Sequence, residues 1–284
     1  MTDPFVRLSP RQRELVEEWL PEGSVERDHS WGLVDRAVLE VVNGGARFIL
    51  KAGGPGDHHM EREIRAHLEW LGPWVSRGRA PRLVHHDSGA RLLLTSFIPG
   101  RLVLGSAYAD EPDAYRQAGE LLALVHAQHV VADDDHESRE NLRALAWLDG
   151  EHRIAPDLER RLRREIASWP TPAATLVPTH GDWQPRNWLV DDEGVVRIID
   201  FGRAALRPAM SDLARLAAQD FARDPALETA FLDGYGADPR DEGAWRRLLV
   251  REAIGTACWA YQVGDEAFEA QGHRMIAEAL TATG

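Results

Sequence analysis

The chain contains one cysteine and one lysine among its 284 residues. Cys258 alone can form neither an intramolecular disulfide nor a zinc site built on cysteines. The single lysine, Lys51, is followed by Ala52, so the chain lacks the Gly-Lys-Ser/Thr ending of a P-loop. These two shortages exclude a disulfide-stabilised domain and a P-loop nucleotidase.

Several signatures and long apolar runs are also absent. The motifs HExxH, GxSxG and GxGxxG do not occur, which excludes the helical zinc-protease, hydrolase-elbow and dinucleotide-binding signatures. No apolar run approaches the roughly 18 residues that span a bilayer. The opening MTDPFVRLSP lacks the basic start and apolar stretch of an export signal. We therefore expect a cytoplasmic protein.

Acidic residues outnumber basic ones by 46 to 33, and the net charge of −13 argues against a nucleic-acid partner. Residues up to Gly100 hold 13 basic and 14 acidic side chains, net −1, whereas the remainder holds 20 and 32, net −12. A negative field over the C-terminal part would concentrate a cationic substrate. The same charge is also typical of an evenly solvated acidic surface that keeps a protein soluble.

The single lysine lies in the second of two strand-like runs. Residues 34–42 and 46–52 are joined through Asn43-Gly44, a strong hairpin signal. Alternation of side chains places Lys51 on one face of the second strand. The other 32 basic residues are arginines, which favours a site where a compact ammonium is required, although a compositional bias with one chance survivor is the alternative.

Helix signals flank this hairpin. A capping box at Ser9 and Gln12 starts an N-terminal helix. Apolar spacing predicts a second helix over 60–71 in which Leu68 faces the core. A strand over 92–96 follows, and the Pro-Gly pair ending at Gly100 is the best candidate for a domain boundary.

Beyond Gly100 the pattern is mainly helical. The predicted helices lie around 118–125, 158–169 and 244–262, with another after Asp212. A strand-rich first third followed by a helical remainder predicts an α+β arrangement of two lobes. We place the N-terminal lobe at residues 1–98 and the C-terminal lobe at residues 99–284.

The most informative stretch, residues 179–202, reads THGDWQPRNWLVDDEGVVRIIDFG. Two apolar runs flank an acidic turn and predict a hairpin with its tip at Glu193-Gly194. A register symmetric about that tip pairs residues whose numbers sum to 387, so that Asn187 faces Asp200. Facing residues have Cα atoms about 4.5–5.5 Å apart, which lets two side-chain oxygens ligate one Mg²⁺. The hairpin is therefore predicted to hold a metal ion.

The same stretch has the spacing of a kinase catalytic loop. Protein kinases carry H-R-D-x-x-x-x-N, followed by D-F-G. Here His180-Gly181-Asp182 leads to Asn187, and a DFG begins at Asp200. A carboxylate at Asp182 can accept the proton of an attacking hydroxyl, while metal held by Asn187 and Asp200 neutralises the phosphoryl group.

Lys51 then fits as the strand lysine that binds the α- and β-phosphates. A kinase also requires a carboxylate from the next helix to hold that lysine. Glu63 and Glu61 both qualify by position, and we prefer Glu63. This pairing gives the single lysine a function.

With these motifs, the chain resembles the aminoglycoside phosphotransferase family, within the protein-kinase-like group that includes choline and fructosamine kinases. The resemblance extends over nearly the whole chain. It is carried by ILK ending at Lys51, REIRAHLEW, APRLV, LLLTSFIPG, LLALVHA, HGDWQPRNWLV, IIDFG and DLARL. A glycine at Gly181, where protein kinases have arginine, is that family's version of the loop. The resemblance implies a two-lobed, protein-kinase-like fold with ATP or GTP in the cleft.

The resemblance also implies a role for each site residue. Asp182 is implied as the catalytic carboxylate, with Asn187 and Asp200 as magnesium ligands. The implied nucleotide-binding residues are Lys51, Glu63, Thr95, Ser96, Phe97, Ile98 and Ser30, with residues 96–98 as the hinge that pairs with the base.

Three features depart from the family's pattern. The phosphate loop, residues 28–32, has one glycine, which leaves its phosphate-binding role open. Gln184 and Arg186 replace the commoner His and Gly. Trp183 and Trp188 flank the loop and either stack on a substrate ring or pack in the core.

These features predict a small-molecule O-phosphotransferase that uses Mg²⁺ and ATP or GTP. The acidic second lobe favours a cationic, antibiotic-like acceptor such as an aminoglycoside, which phosphorylation would inactivate. The alternatives are a metabolic kinase of the choline, homoserine or fructosamine type and a non-catalytic nucleotide-binding scaffold. A protein kinase is disfavoured because the segment from Asp200 to Asp212 is too short for a regulated activation loop. We expect neither nucleic acid nor a membrane as partner.

Overall fold

The computed structural model describes residue 5, residues 7–30 and residues 36–281. The strands are β1 Ser24–Asp28, β2 Arg36–Asn43, β3 Ala46–Gly53, β4 Leu83–Asp87, β5 Leu92–Ser96, β6 Arg101–Leu102, β7 Val131–Asp133, β8 Ala174–Thr179, β9 Trp188–Val190, β10 Val196–Ile198 and β11 Ala205–Arg207. The α-helices are α1 Pro10–Trp19, α2 His59–Glu69, α3 Gly72–Val75, α4 Pro112–His126, α5 His136–Asp149, α6 Pro156–Ser168, α7 Ala214–Leu216, α8 Pro225–Tyr235, α9 Glu242–Val263 and α10 Glu266–Thr281. Short 3-10 helices lie at Ala107–Asp110, Pro185–Asn187 and Ala209–Leu213, and a π-helical turn lies at Ala217–Phe221.

The chain forms two compact units. The first contains the residues up to 129 together with 178–206 and 215–237, and the second contains 130–177, 207–214 and the residues from 238 onward. The side chains implied for catalysis, metal binding and nucleotide binding all belong to the first unit. The division into lobes 1–98 and 99–284 stays a prediction.

An antiparallel sheet in the order β1-β2-β3-β5-β4 begins the first unit. The predicted hairpin is confirmed: β2 pairs with β3, and Val38 lies opposite Lys51. Its turn is Gly44-Gly45, one residue later than the predicted Asn43-Gly44. The φ angles of 56° and 79° at these glycines are the left-handed values that a two-residue hairpin turn requires. The predicted start of the first strand at Val34 lies outside the described residues.

Helix α1 covers one face of this sheet. The predicted capping box is confirmed, with Ser9 Oγ accepting from Gln12 N and Gln12 Oε1 accepting from Ser9 N. The apolar side of α1 packs against Leu39 and Leu50. Because side chains alternate along a strand, Lys51 projects from the opposite face.

Helix α2 lies on that opposite face, where Met60 and Ile64 pack on Leu93 of β5. The prediction that Leu68 faces the core is wrong, since Leu68 is 58% exposed. The buried stripe of α2 includes Glu63, and this orientation turns Leu68 to solvent. Helix α2 therefore presents a carboxylate to the face of the sheet that carries the lysine.

Helices α4 and α8 complete the first unit. They approach so closely that a Cβ added at Gly119 would lie 2.1 Å from the Phe231 carbonyl oxygen. The second unit has its own apolar core, built from α5, α6, α9 and α10 around Leu162 and Cys258. Strands β7 and β8 pair antiparallel there, with Val131 opposite Leu176. Among the described helices, none has the length and apolar character that a membrane span requires.

Candidate active site

The catalytic loop predicted from the sequence begins directly after β8 and turns through Gly181, whose φ is 77°. His180 accepts from the Asp182 amide at Nδ1 and donates from Nε2 to the Ile199 carbonyl. It therefore ties the loop to the segment that leads into the DFG. His180 acts as a structural hydrogen-bonding residue.

Trp183 and Trp188 lie in the core beneath this loop. They are 1% and 0% exposed. Trp183 packs against Trp74, Trp188 packs edge-on against Tyr115, and the two indoles contact each other edge to face. Their burial decides between the two roles considered for them, since a ligand ring cannot reach either indole. Both indoles therefore pack in the core and hold the catalytic loop in place.

Asp182 is almost completely buried, and nitrogen donors surround its carboxylate. Gln184 Nε2 lies 2.5 Å and Arg215 Nε 3.0 Å from Oδ1. Arg186 lies 2.7 Å and Asn187 Nδ2 3.0 Å from Oδ2. Burial on its own would raise the pKa of Asp182, but the arginines outweigh it and lower the pKa to about 2. Asp182 is therefore ionised at neutral pH.

The hairpin that follows has a different register from the predicted one. Ile198 pairs with Trp188 and Val196 with Val190, so facing residues sum to 386 and Asn187 lies opposite Ile199, not Asp200. The loop is a turn from Asp191 to Gly194 in which Gly194 has a φ of 76°. This three-residue loop with a left-handed glycine shifts the register by one residue relative to a two-residue turn. The predicted direct pairing of Asn187 with Asp200 is wrong.

Asp200 lies just beyond β10, in a left-handed backbone conformation with a φ of 66°. Such a conformation is strained for a non-glycine residue and is concentrated at functional sites. Its side chain is 48% exposed. Burial would raise the pKa of Asp200, but the positive charges of Lys51 and Arg36 outweigh burial and lower it.

Lys51 meets two carboxylates. Its Nζ lies 2.5 Å from Glu63 Oε1 and 3.9 Å from Asp200 Oδ1. Burial would lower the pKa of Lys51, yet Glu63 and Asp200 outweigh it and raise the pKa above its usual value. Glu61 is exposed on the same helix, so the acid beside Lys51 is Glu63.

Sequence reasoning missed a second ion pair beside this one. Arg36 Nε and an Arg36 terminal nitrogen each lie 2.7 Å from an oxygen of Asp57. Asp57 also accepts from the amides of His59 and Met60, which fixes the start of α2. An aspartate just ahead of a helical apolar pattern is a capping signal that could have located it. Arg215, in contrast, lies far from Asp182 in sequence, and nothing in the DLARL segment that contains it indicates a contact with Asp182.

Four of the predicted nucleotide-binding residues lie at or just beyond the C-terminal end of β5, the strand that pairs with β3 next to Lys51: Thr95, Ser96, Phe97 and Ile98. Thr95 is buried in β5, opposite Ile49. The amides of Ser96 and Phe97 donate to the Arg82 and Arg47 carbonyls. Among the described residues, the Ile98 amide has no such acceptor.

Ser30 lies where the predicted phosphate loop leaves β1. Its hydroxyl accepts from the amide of Val38, the residue opposite Lys51 in the sheet. Trp31 and Gly32 of that loop lie outside the described residues. Ser30 therefore fixes the start of the loop beside the lysine.

Residues 27–249 match the model of a family described as the phosphotransferase enzyme family. The chain belongs to this family. The match extends from the phosphate loop, through Lys51 and the catalytic loop, to α9.

Solved structures show the fold of this phosphotransferase. Choline kinase LicA from Streptococcus pneumoniae is 15% identical with a TM-score of 0.67, and 95% of this chain and 97% of that one are covered. Macrolide 2'-phosphotransferase MphH from Brachybacterium faecium is 18% identical with a TM-score of 0.57, covering 93% and 95%. The GDP complex of aminoglycoside 2'-phosphotransferase-IIIa is 14% identical with a TM-score of 0.65, covering 96% and 99%.

These likenesses confirm the α+β, two-lobed, protein-kinase-like fold predicted from the sequence. No curated protein sequence matches the chain.

The residues of the phosphotransferase fit a magnesium ion. Asn187 uses its Nδ2 for the two bonds to Asp182, which leaves the amide oxygen for a cation. Asp200 offers a partly exposed, ionised carboxylate. Mg²⁺ prefers oxygen ligands and is commonly held by one or two carboxylates together with substrate phosphates and water. Within the described ranges no three His, Cys, Asp or Glu side chains form a metal site, and this two-residue arrangement does not require one.

Proposed function

We propose that the protein transfers the γ-phosphoryl group of ATP or GTP to a hydroxyl group of a small molecule. The observation that carries this proposal is the position of Lys51 Nζ between the carboxylates of Glu63 and Asp200. An ammonium held between two acids is oriented to bind phosphate oxygens as a point charge. The nucleotide complexes of related folds, with GDP in one and ADP and hygromycin B in another, support a nucleotide donor.

The nucleotide would bind along the edge formed by Thr95, Ser96, Phe97 and Ile98. The amide of Ile98 donates to the base, because the amides of Ser96 and Phe97 are already used. Lys51, held by Glu63, binds the α- and β-phosphates, and the loop that starts at Ser30 covers them. In this proposal residues 1–98 form the nucleotide-binding lobe.

Asp182 accepts the proton of the acceptor hydroxyl. The acceptor oxygen forms a bond to the γ-phosphorus while the bond from that phosphorus to the bridging oxygen breaks. The hydroxyl proton passes to Asp182, and the nucleoside diphosphate leaves. Mg²⁺, held by Asn187 and Asp200, would neutralise charge on the phosphate oxygens.

Two acceptor classes follow from the sequence. A cationic, antibiotic-like acceptor, inactivated by phosphorylation, is supported by the net charge of −12 after Gly100. A metabolite of the choline, homoserine or fructosamine type would use the same residues. The cytoplasmic location stays a prediction in both cases.

The experiment is a transfer assay with Mg²⁺ and ATP or GTP against antibiotics, amino alcohols, sugars and hydroxy acids, read by mass spectrometry. We expect one phosphorylated product. Asp182→Asn should lower turnover by about 10²- to 10⁴-fold and keep nucleotide binding. Asp192→Asn, an exposed acid of the hairpin turn, is the matched control. Nucleotide binding without transfer to any acceptor would favour the scaffold and refute the proposal.

A further inference from the structure

The carboxylate of Asp182 is fully occupied by protein donors. Each of its two oxygens has two nitrogen atoms within 3.0 Å. A carboxylate offers about four lone-pair positions to hydrogen-bond donors. An acceptor hydroxyl can therefore donate to Asp182 only after one of the four donors has left.

Arg186 is the donor that can leave. Gln184 and Asn187 are both buried, and Asn187 also donates to the main-chain oxygen of Asp182. Arg186 has a side chain that is 37% exposed, compared with 31% for Arg215, and Asp182 is its one ion-pair partner within the described ranges. Arg215 has a further interaction besides its ion pair with Asp182. The guanidinium of Arg186 can rotate into solvent without breaking a second ion pair to any residue that the structure describes.

A guanidinium leaves a buried carboxylate most readily for another anion. Arginine forms two parallel hydrogen bonds with planar carboxylate or phosphate oxygens, so one charged pair can replace another. A cationic acceptor offers no replacement and would be repelled by the arginine. An acceptor that carries an anionic group would give Arg186 a replacement partner and would be attracted by it.

We propose that the acceptor carries an anionic group, a carboxylate or a phosphate, and that Arg186 moves from Asp182 onto it. Arg186 is then a specificity-determining residue. Its departure exposes Oδ2 of Asp182 to the hydroxyl that is phosphorylated. This inference rests on the proposed transfer of a phosphoryl group to a hydroxyl group, and it selects an anionic acceptor over the cationic class that the net charge favours.

At the reacting hydroxyl, the charges of nearby side chains matter more than the net charge of the chain. The net −12 of the residues after Gly100 is spread over 184 positions, and exposed charges more than about 8–10 Å away are largely screened at physiological ionic strength. Arg186 and Arg215 touch Asp182 directly, and Arg203 also acts on it. Three arginines therefore act on the carboxylate that the reacting hydroxyl must approach.

The first test needs no acceptor. Hydrolysis of Mg²⁺-ATP by water is measured for the full chain and for Arg186→Gln, with Arg65→Gln as control. Arg65 pairs with Glu69 at the same four-residue spacing, on an exposed surface. We expect Arg186→Gln to hydrolyse ATP about tenfold faster, the factor that one charge-assisted hydrogen bond represents, and Arg65→Gln to match the unmodified protein. Acetate, compared with chloride at equal ionic strength, should stimulate the unmodified protein and not Arg186→Gln.

The second test uses matched acceptors: hydroxy acids and their methyl esters, sugar phosphates and their parent sugars, and choline. We expect transfer to the anionic members, a rise in their KM of about tenfold or more in Arg186→Gln, and partial rescue by Arg186→Lys. The KM for ATP should not change. The hydroxy acids and sugar phosphates distinguish carboxylate from phosphate.

Three results would overturn the inference: transfer to choline or neutral acceptors alone, an unchanged acceptor KM in Arg186→Gln, or a rise confined to the KM for ATP. The last would mean that Arg186 binds the transferred phosphoryl group. Absence of both hydrolysis and transfer in the unmodified protein would instead refute the proposed function, and the inference with it.

Discussion

Replacing Glu63 with glutamine is expected to weaken nucleotide-dependent turnover while the fold persists. Glu63 Oε1 lies 2.5 Å from Lys51 Nζ, and Asp200 is the second acid, at 3.9 Å. The substitution keeps the shape and a hydrogen-bonding oxygen but removes the negative charge. Asp200 then attracts the ammonium without competition, which draws it away from its position between the two acids.

The expected loss of kcat/KM depends on the carboxylate that remains beside Lys51. Removing one partner of a buried ion pair costs about 3–5 kcal/mol when the other is left alone. Lys51 keeps Asp200, so one hydrogen bond to a charged group, about 1.5–3 kcal/mol, is the better measure. At about 1.36 kcal/mol for each factor of ten, kcat/KM for the nucleotide should fall about 10- to 150-fold.

The assay is steady-state turnover of Mg²⁺-ATP together with thermal unfolding of each variant. Glu61→Gln is the matched control, because it makes the same change of charge on the exposed side of the same helix. It should leave kcat/KM unchanged. Equal losses in the two variants, or an unchanged kcat/KM in a folded Glu63→Gln protein, would refute the assignment of Glu63 as the partner that positions Lys51.

Three further predictions concern stability and reactivity. Glu137→Gln should lower the free energy of unfolding by about 3–5 kcal/mol in urea titrations, because Arg247 and Arg251 share its buried carboxylate at 2.7 and 2.8 Å. Burial would raise the pKa of Glu137, but these arginines outweigh burial and lower it. The stabilisation from Glu137 is therefore complete above the unfolded pKa of about 4.3 and is lost as the pH falls through the lower folded pKa. If the free energy of unfolding of the variant depends on acid pH as that of the parent does, this prediction is contradicted. Gly119→Ala should cost about 1–3 kcal/mol by the same titration, because its Cβ would meet the Phe231 carbonyl, whereas Gly72→Ala, with open space around it, should cost less. Burial, followed by Glu159, raises the pKa of Cys258 to about 11, so iodoacetamide should label the thiol near neutral pH in urea and not in the native protein.

The features that the sequence predicts correctly depend on residues that lie close together in the chain. Asn43-Gly44 predicts the β2–β3 hairpin to within one residue of its Gly44-Gly45 turn, and Ser9 and Gln12 predict the start of α1. Turn and cap chemistry is local, so a few adjacent residues determine it. The preference for Glu63 beside Lys51 also combined local patterns, an alternating strand and the helix that follows it.

The hairpin after the catalytic loop shows where local reasoning fails. Its register depends on whether Gly194 takes a left-handed conformation, which adds one residue to the loop and shifts every pair by one. The sequence Asp191-Asp192-Glu193-Gly194 is compatible with both loop lengths. Arg215 was missed for a different reason, because a contact with Asp182 across 33 positions depends on the tertiary fold.

The occupied carboxylate of Asp182 bears on a general difficulty for an enzyme that binds a reactive nucleotide. Water is always present as a competing acceptor, and a free carboxylate beside the γ-phosphate would take its proton as well as that of an alcohol. Four protein donors occupy the lone-pair positions of Asp182, so water cannot donate a proton to them. If an anionic acceptor removes Arg186, the same binding event supplies the hydroxyl and exposes the base, so acceptor binding energy is used to assemble the reactive arrangement. Faster ATP hydrolysis in Arg186→Gln would then measure the protection that the arginine gives.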